Sequence, residues 1–403
     1  MWYRFKRKFI ADRDFYRHVL LLAVPMIIQN AITSFVSFLD NIMVGQIGTE
    51  QMSGVAIVNQ LMFVFNICIW GGTSGASIFG TQYYGKGDYE GQKYAFRFKL
   101  YVMAFISAVA MALFHFQGSG LISLFLSDSG NIGDIGLALH YGELYLAIMI
   151  VGLVPFAITN AYVSTIREMG QTFVPMLASA VAVGTNLVLD YVLIFGLGGI
   201  PALGVEGAAI ATVIARIIEC LIVVVWSHVK IGDNPYLPGA YRSVYIPGPI
   251  LKVILKKGIP LMLNEMFWAM GMTVIVQCYA TRGLEVVAAQ NISSTITNLF
   301  NIVYIQLGGC ISIVIGQLLG AGKLEEAKDS NTKLIFFSVA CCTAVAALMV
   351  CVGRFFPEIY NTEPEIKGLA TNFIIISALV MPLCSFDCHD SRNPCDRKDV
   401  AFF

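Results

Sequence analysis

Two aspartates stand inside long apolar runs of this 403-residue chain, where a charged group needs a chemical reason. Asp40 lies in SFLDNIMVG, and Asp190 lies in TNLVLDYVLIFG, one helical turn after Asn186. Neither has a basic residue within its own apolar run. An ionisable group at membrane depth costs about 2.5 to 3.5 kcal/mol or more, so each aspartate is a candidate for function. The structural alternative is a carboxylate that hydrogen-bonds to a neighbouring helix.

Asn186 and Asp190 share one helix face because they are four residues apart. Together with Asp40 they offer hard oxygen ligands of the kind that suit a small cation such as Na⁺. A carboxylate in such surroundings can also exchange a proton for a cation. The pattern therefore predicts a site that trades a coupling ion, H⁺ or Na⁺, for another cation.

Two further groups of charges occur in apolar runs. Glu265 follows Pro260 by five residues and has no basic neighbour in its run, so it joins the candidate site residues. Arg216 and Glu219 are three residues apart, a spacing that favours a mutually neutralising structural pair.

The elements that position these groups must be transmembrane helices. The chain is 57% apolar and 13% charged, whereas soluble domains carry about 25% charged residues. A helix needs about 20 apolar residues to cross the hydrocarbon core. Runs of that length predict ten spans, at residues 19–45, 55–82, 98–117, 136–160, 173–196, 205–229, 258–281, 286–318, 334–353 and 368–386.

Basic residues indicate the orientation, because lysine and arginine collect in cytoplasmic loops. With the N-terminus inside, 19 lysines and arginines fall on the cytoplasmic side and 3 on the outer side. The pattern predicts a multi-pass protein of the cell membrane, placed in a bacterial inner membrane, with a cytoplasmic N-terminus.

An internal repeat at an offset of 235 residues sets the predicted architecture. It pairs Pro25 with Pro260, and Gln82-x-x-Gly85-x-Gly87 with Gln317-x-x-Gly320-x-Gly322. Six spans precede the second copy, so the repeats are parallel and form two helical lobes. The predicted segments are a cytoplasmic start at 1–18, an N-lobe at 19–229, a linker at 230–250 and a C-lobe at 251–386. A polar tail at 387–403 follows.

The repeat also predicts a longer second lobe. Copying the first lobe forward gives an end near roughly residue 464, so we expect two of twelve helices to be absent. The abrupt change to DCHDSRNPCDRKDVAFF favours a truncated or frameshifted product over a regulatory tail.

Other classes of function lack a signal. The chain has no P-loop, no HExxH and no zinc or thioredoxin spacing, so we expect no enzyme and no cofactor beyond the coupling ion. The formal net charge of zero gives no reason to expect a nucleic-acid partner.

Several separate motifs resemble the multidrug and toxic compound extrusion (MATE) transporters. They are PMIIQNAITSFVSFLDNIMVGQIGTEQMSGVAI, GTSGASIFGTQYYGKGD, TNLVLDYVLIFG, GVEGAAIATVIAR and GQLLGAGKLEEA. The resemblance implies an all-α fold of twelve helices in two lobes, of which about ten are present here. It also implies export of small organic cations by a monomer in the membrane lipid, driven by inward flow of H⁺ or Na⁺.

The resemblance also carries residue roles. Asp40 matches the coupling aspartate of the first span, Asn186 and Asp190 match a fifth-span pair, and Thr212 matches the GAAxAT threonine. These four residues are the expected Na⁺ ligands. Glu265 stands nearer to its proline than the seventh-span glutamate of some members. The alternatives are a lipid-linked oligosaccharide flippase of the same superfamily, a non-functional truncated transporter, and a channel or receptor. The acidic residues in the apolar runs favour an exporter of cations over a flippase, whose substrate carries a pyrophosphate.

Overall fold

In a computed structural model of the chain, residues 9–128, 134–196, 201–360 and 362–391 are described. Within these ranges the chain is helical and contains no β-strand. Eleven α-helices follow one another in the described ranges: α1 Arg13–Gly45, α2 Thr49–Lys86, α3 Tyr89–Asp128, α4 Ile135–Met149, α5 Leu153–Glu168, α6 Phe173–Phe195, α7 Val205–Val229, α8 Gly248–Ala280, α9 Leu284–Gly320, α10 Leu324–Gly353 and α11 Pro364–Ser391.

Ten stretches of the described helices are long and apolar enough to cross a membrane, which confirms the ten predicted spans. The fourth span comprises α4 and α5, with the 3₁₀ turn Ile150–Gly152 between them. Pro155 follows this turn, and a proline has no N–H to donate to the preceding turn of a helix. The helix is therefore interrupted locally, and α4 and α5 still form a single span.

Several helices extend past their predicted bounds. α8 begins at Gly248 and not near 258, because Lys252, Lys256 and Lys257 end the apolar run without ending the helix. Lysine is a good helix former. α11 continues through Pro382 to Ser391, so the first residues of the predicted polar tail are helical. Residues 392–403 of that tail, and residues 1–8 of the predicted N-terminal segment, lie outside the described residues.

The chain divides into two compact units. The larger unit comprises residues 32–80 and 89–265, and the smaller unit comprises residues 1–31, 81–88 and 266–403. These bounds differ from those of the predicted lobes, 19–229 and 251–386, which stay a prediction.

The larger unit has a core of aliphatic side chains from α2 to α7. Val58, Ile69 and Leu153 are fully buried in it, with Ala209 on α7. Gly207 lies against the backbone carbonyl group of Leu193, and the amide of Leu203 donates to the same carbonyl oxygen at 2.8 Å. Small residues let helices approach closely where hydrophobic driving force is weak. α6 and α7 are packed by this means.

A buried ion pair joins α3 to α5. Lys99 is fully buried, and its ammonium group donates to the carboxylate of Glu168 and, at 2.9 Å, to the hydroxyl of Thr165. From the sequence, Lys99 is only one of the 19 basic residues placed on the cytoplasmic side. Removing one partner of such a pair leaves an uncompensated buried charge, which costs about 3 to 5 kcal/mol.

The linker between α7 and α8 is folded onto α3. Arg97 donates three hydrogen bonds to linker carbonyl oxygens, to Ala240 at 2.7 Å, to Gly239 at 2.8 Å and to Tyr245 at 3.0 Å. Tyr236 is fully buried against the ring of Phe96. Burial raises the pKa of the Tyr236 phenol, so this group stays neutral. Residues 230–247 are therefore a compact element fixed by Arg97.

The smaller unit has its own core, formed by the start of α1 with α9, α10 and α11. Val19 and Leu22 from α1 pack with Ile315, Met349 and Ile374. All five side chains are buried, so this unit has a continuous apolar interior of its own.

Repeat-related glycines meet inside the smaller unit. A Cβ atom at Gly85 would overlap the backbone carbonyl group of Gln317, and a Cβ atom at Gly320 would overlap that of Gln82. Each residue of the first contact is related to one of the second by the 235-residue offset. The QxxGxG motif is therefore repeated because its two copies pack on each other reciprocally.

Gly85→Ala is expected to lower the unfolding temperature in detergent by several degrees. The added methyl group forces backbone apart, and overpacking costs about 1 to 3 kcal/mol. The matched control is Gly271→Ala in α8, where a Cβ atom would meet nothing within 4 Å. There alanine is neutral or stabilising, because it favours a helix by about 1 kcal/mol over glycine. Both unfolding temperatures are measured in a thermal-shift assay. Equal values for the two variants would contradict the reciprocal packing.

Candidate functional site

The larger unit brings together four of the five predicted site residues. Asp40 lies on the second half of α1, Asn186 and Asp190 lie on α6, and Thr212 lies on α7. Asp190 is 1% exposed and Asn186 is 7% exposed. The sequence spacing of four residues does place Asn186 and Asp190 on one buried face of α6.

The carboxyl groups of Asp40 and Asp190 face each other across α1 and α6, and the amide of Asn186 lies beside Asp190. Both carboxylate oxygens of Asp190 are buried without a well-formed hydrogen bond from the described residues. The same holds for Oδ1 of Asp40 and Nδ2 of Asn186. Buried polar atoms are normally satisfied, so these atoms lack hydrogen-bond partners that a bound proton or cation could replace.

Tyr145 on α4 completes the group. Its hydroxyl faces the side chain of Thr212 and lies within electrostatic range of Asp40, Asp190 and Arg216. The side chain is 5% exposed. One tyrosine among seventeen in an apolar chain carries no sequence signal of its own, so only the fold could find it.

Arg216 on α7 is a cation that interacts electrostatically with Tyr145 of this group. Its guanidinium carbon lies 5.0 Å from the ring centre of Phe156, and its Nη1 has no hydrogen-bond partner among the described residues. Glu219 has Ser179 and Arg167 beside it as well as Arg216. Within the described chain no direct ion pair joins Arg216 to Glu219, so the predicted local pair is replaced by a wider charged group.

Glu265 on α8 is not brought to this group. Its side chain is half-buried, and in the part of the chain that the structure describes no hydrogen bond or ion pair links it to Asp40, Asn186, Asp190 or Thr212. Its predicted role in cation binding stays a prediction.

The available donors suit a hard monovalent cation or a proton. Two carboxylates, the Asn186 amide and the Thr212 hydroxyl supply oxygen ligands, and several of the buried atoms are unsatisfied. No group of three or more His, Cys, Asp or Glu residues is placed to hold a metal ion within the described ranges. A cation held here would therefore depend on amide and hydroxyl oxygens as well as on the carboxylate pair.

Comparison with known families decides the class. The profile of the MatE family matches residues 25–192 and 260–388, which is most of the chain. The chain belongs to the MatE family. The family assignment from the sequence motifs is thereby confirmed. With ten candidate membrane spans among its described residues, this MatE family member is a multi-pass membrane protein.

Curated relatives are distant but extensive. The chain is 23% identical over 371 residues to a probable multidrug resistance protein NorM of Bacillus subtilis, covering 90% of this chain and 78% of that protein. It is 22% identical over 353 residues to a NorM of Thermotoga maritima, covering 87% of this chain and 73% of that protein.

Solved structures share the fold. The crystal structure of a MATE protein in the bent conformation superposes with a TM-score of 0.82 at 22% identity, over 94% of this chain and 81% of that one. A MOP superfamily transporter from Pyrococcus furiosus gives a TM-score of 0.77 at 21% identity, over 93% of this chain and 83% of that one. The binding pocket of that transporter is described as having reverse polarity, which suggests a different function for it.

Replacing Asp190 by asparagine is expected to raise the unfolding temperature of this MatE family member. A neutral amide costs less to bury than an unpartnered carboxylate facing another carboxylate. The contrasting control is Glu168→Gln, which removes the charge that neutralises buried Lys99 and should lower the unfolding temperature. The measurement is thermal unfolding of purified protein in detergent without added substrate. An Asp190→Asn variant that unfolds below wild type would show that the Asp190 carboxylate is well satisfied.

Proposed function

We propose that this protein is a secondary antiporter that exports organic cations and is driven by H⁺ or Na⁺ moving inward. The observation that carries the proposal is the facing pair Asp40 and Asp190, in which both oxygens of Asp190 and Oδ1 of Asp40 are buried without well-formed hydrogen bonds. The names of the curated relatives, which are multidrug resistance proteins, support export of drug-like compounds.

Electrostatics supply the coupling. Two carboxylates side by side repel each other unless a proton or a cation lies between them. The coupling ion and an organic cation can each relieve that repulsion, and both cannot do so fully at once. Binding of one therefore favours release of the other, which is the thermodynamic requirement for exchange.

The proposed energy source is an ion gradient. The sequence holds no nucleotide-binding motif of the P-loop type, so an ion gradient supplies the driving force. We place the protein in the cell membrane with its N-terminus in the cytoplasm, on the basis of its 19 to 3 distribution of basic residues. In this orientation H⁺ or Na⁺ enters as the organic cation leaves.

For Na⁺, the proposed ligands are the carboxylates of Asp40 and Asp190 with the oxygens of Asn186 and Thr212. For H⁺, the same carboxylates carry the proton and Asn186, Thr212 and Tyr145 stabilise the charged state by hydrogen bonding. In either case the substrate is a small organic cation, the protein acts as a monomer, and no other cofactor is needed.

A second candidate is a transporter of anionic substrates, such as a lipid-linked oligosaccharide flippase. It is favoured by Arg216, whose buried guanidinium group has an unpartnered Nη1 among the described residues. A pyrophosphate-bearing substrate needs such a cation. The carboxylate pair outweighs the single arginine, so we place the cation exporter first.

Asp40→Asn and Asp190→Asn should each reduce ion-driven export of ethidium to the level of vesicles without the protein. Each change removes a charge that the coupling ion and the substrate share. The measurement is dye transport in everted vesicles under an imposed pH or Na⁺ gradient, at matched expression. The control is Glu325→Gln, a carboxylate with 88% of its side chain exposed, which should transport normally.

Wild-type coupled transport by either aspartate variant would overturn the cation-exchange proposal. Transport of a pyrophosphate-bearing lipid that is lost in Arg216→Gln but retained in both aspartate variants would favour the anionic substrate instead.

A further inference from the structure

An apolar groove lies at one end of the larger unit, remote in sequence from the carboxylate pair. It has a volume of about 480 Å³ and is formed by α3, the linker and the start of α8. The lining side chains that define it are Phe98, Tyr101, Phe105, Val244, Ile246 and Leu251. Its volume falls within the range of about 300 to 1,000 Å³ that is typical of small-molecule sites.

The linker wall of this groove is held in place before any ligand binds. Arg97 is 6% exposed and donates to the carbonyl oxygens of Gly239, Ala240 and Tyr245 at 2.7 to 3.0 Å. Tyr241 is joined to Tyr162 of α5 by a hydrogen bond between their hydroxyl groups. A preformed wall lowers the entropy lost on binding, so the groove is suited to hold a ligand.

Side chains at the rim, on both the linker and α3, are strongly exposed. Val244 is 80% exposed, Tyr245 is 65% exposed and Phe105 is 71% exposed. α3 and α8 are both membrane spans, so the groove opens where these spans begin. Tyrosines are enriched at the boundary between hydrocarbon and headgroups. The natural occupant at this position is a lipid.

Charge around the groove selects the kind of lipid. Between residues 234 and 264 the chain carries Arg242, Lys252, Lys256 and Lys257 and no acidic residue. Arg242 and Lys252 are exposed and form no ion pair in the described parts of the chain. Lys252 directly follows the lining residue Leu251, and Arg242 precedes the lining residue Val244 by two positions. A basic side chain near an anionic membrane surface is attracted to the lipid headgroups.

We propose that this groove binds an anionic phospholipid of the leaflet that the linker faces. One acyl chain lies along Phe98, Phe105 and Leu251, and the headgroup phosphate is held by Arg242 and Lys252. The contact fixes the linker and the first turns of α8 to the membrane surface. The site is separate from the transported substrate, so it stands whether or not the exporter proposal holds.

The test is lipid retention by the full chain purified in a mild detergent. Phosphatidylglycerol and phosphatidylcholine with identical acyl chains are added separately, and bound lipid is counted by native mass spectrometry. Wild type is expected to retain phosphatidylglycerol several-fold better. The double variant Arg242→Gln and Lys252→Gln should lose this preference. Millimolar inorganic phosphate should not displace the retained lipid, because the acyl chain contributes most of the contact.

Two controls separate the site from general basicity and from misfolding. The double variant Lys323→Gln and Lys328→Gln removes two exposed lysines near the start of α10 and should retain phosphatidylglycerol as wild type does. Val244→Asp places a charge at the exposed rim and should reduce retention of both lipids without lowering the unfolding temperature in detergent. Equal retention of the two lipids by wild type overturns the proposal. Undiminished selectivity after Arg242 and Lys252 are replaced, or displacement of the lipid by inorganic phosphate, also overturns it.

Discussion

Two carboxylates that face each other inside an apolar helix bundle are the constraint on which this protein depends. Asp40 and Asp190 are held close by α1 and α6, and the described residues give no well-formed hydrogen bond to either oxygen of Asp190 or to Oδ1 of Asp40. Burying an ion without a partner costs several kcal/mol. In the proposed mechanism this cost has a function, because carboxylates without a protein partner bind a proton or a cation. Tyr145, Asn186 and Thr212 add polar atoms around this pair.

Two other buried charges of the larger unit, Lys99 and Arg97, do have partners. Lys99 and Glu168, equally buried, neutralise each other and share Thr165. Arg97 satisfies three carbonyl oxygens of the linker. The buried charges of Lys99 and Arg97, whose contacts are structural, are therefore paired. The larger unit leaves charges unpaired around Asp190 and, on the same side of α7, at Arg216. This contrast links the fold to function more firmly than burial of any single carboxylate does.

Much of this could be predicted from the sequence, for physical reasons that differ between elements. The ten spans followed from run length, since the bilayer fixes how many apolar residues a helix needs. Asp40, Asn186 and Asp190 stood out because charge and amide groups are rare in such runs. The QxxGxG repeat indicated symmetry, but its reason, reciprocal packing of Gly85 and Gly320 on backbone, needed the structure. Tyr145 and Arg97 were missed because their roles depend on partners distant in sequence. Helix ends were placed too early or too late wherever lysines continued a helix, as in α8.

The central claim is that a coupling ion and an organic cation compete for the Asp40 and Asp190 pair. Ion release on substrate binding by purified protein tests it most directly. Ethidium is titrated into weakly buffered protein in detergent while a pH indicator follows protons and a Na⁺-selective electrode follows Na⁺. The account predicts that binding of ethidium releases one of the two ions, and that Asp190→Asn abolishes the release. Binding of ethidium to the wild-type protein with no release of either ion would contradict it.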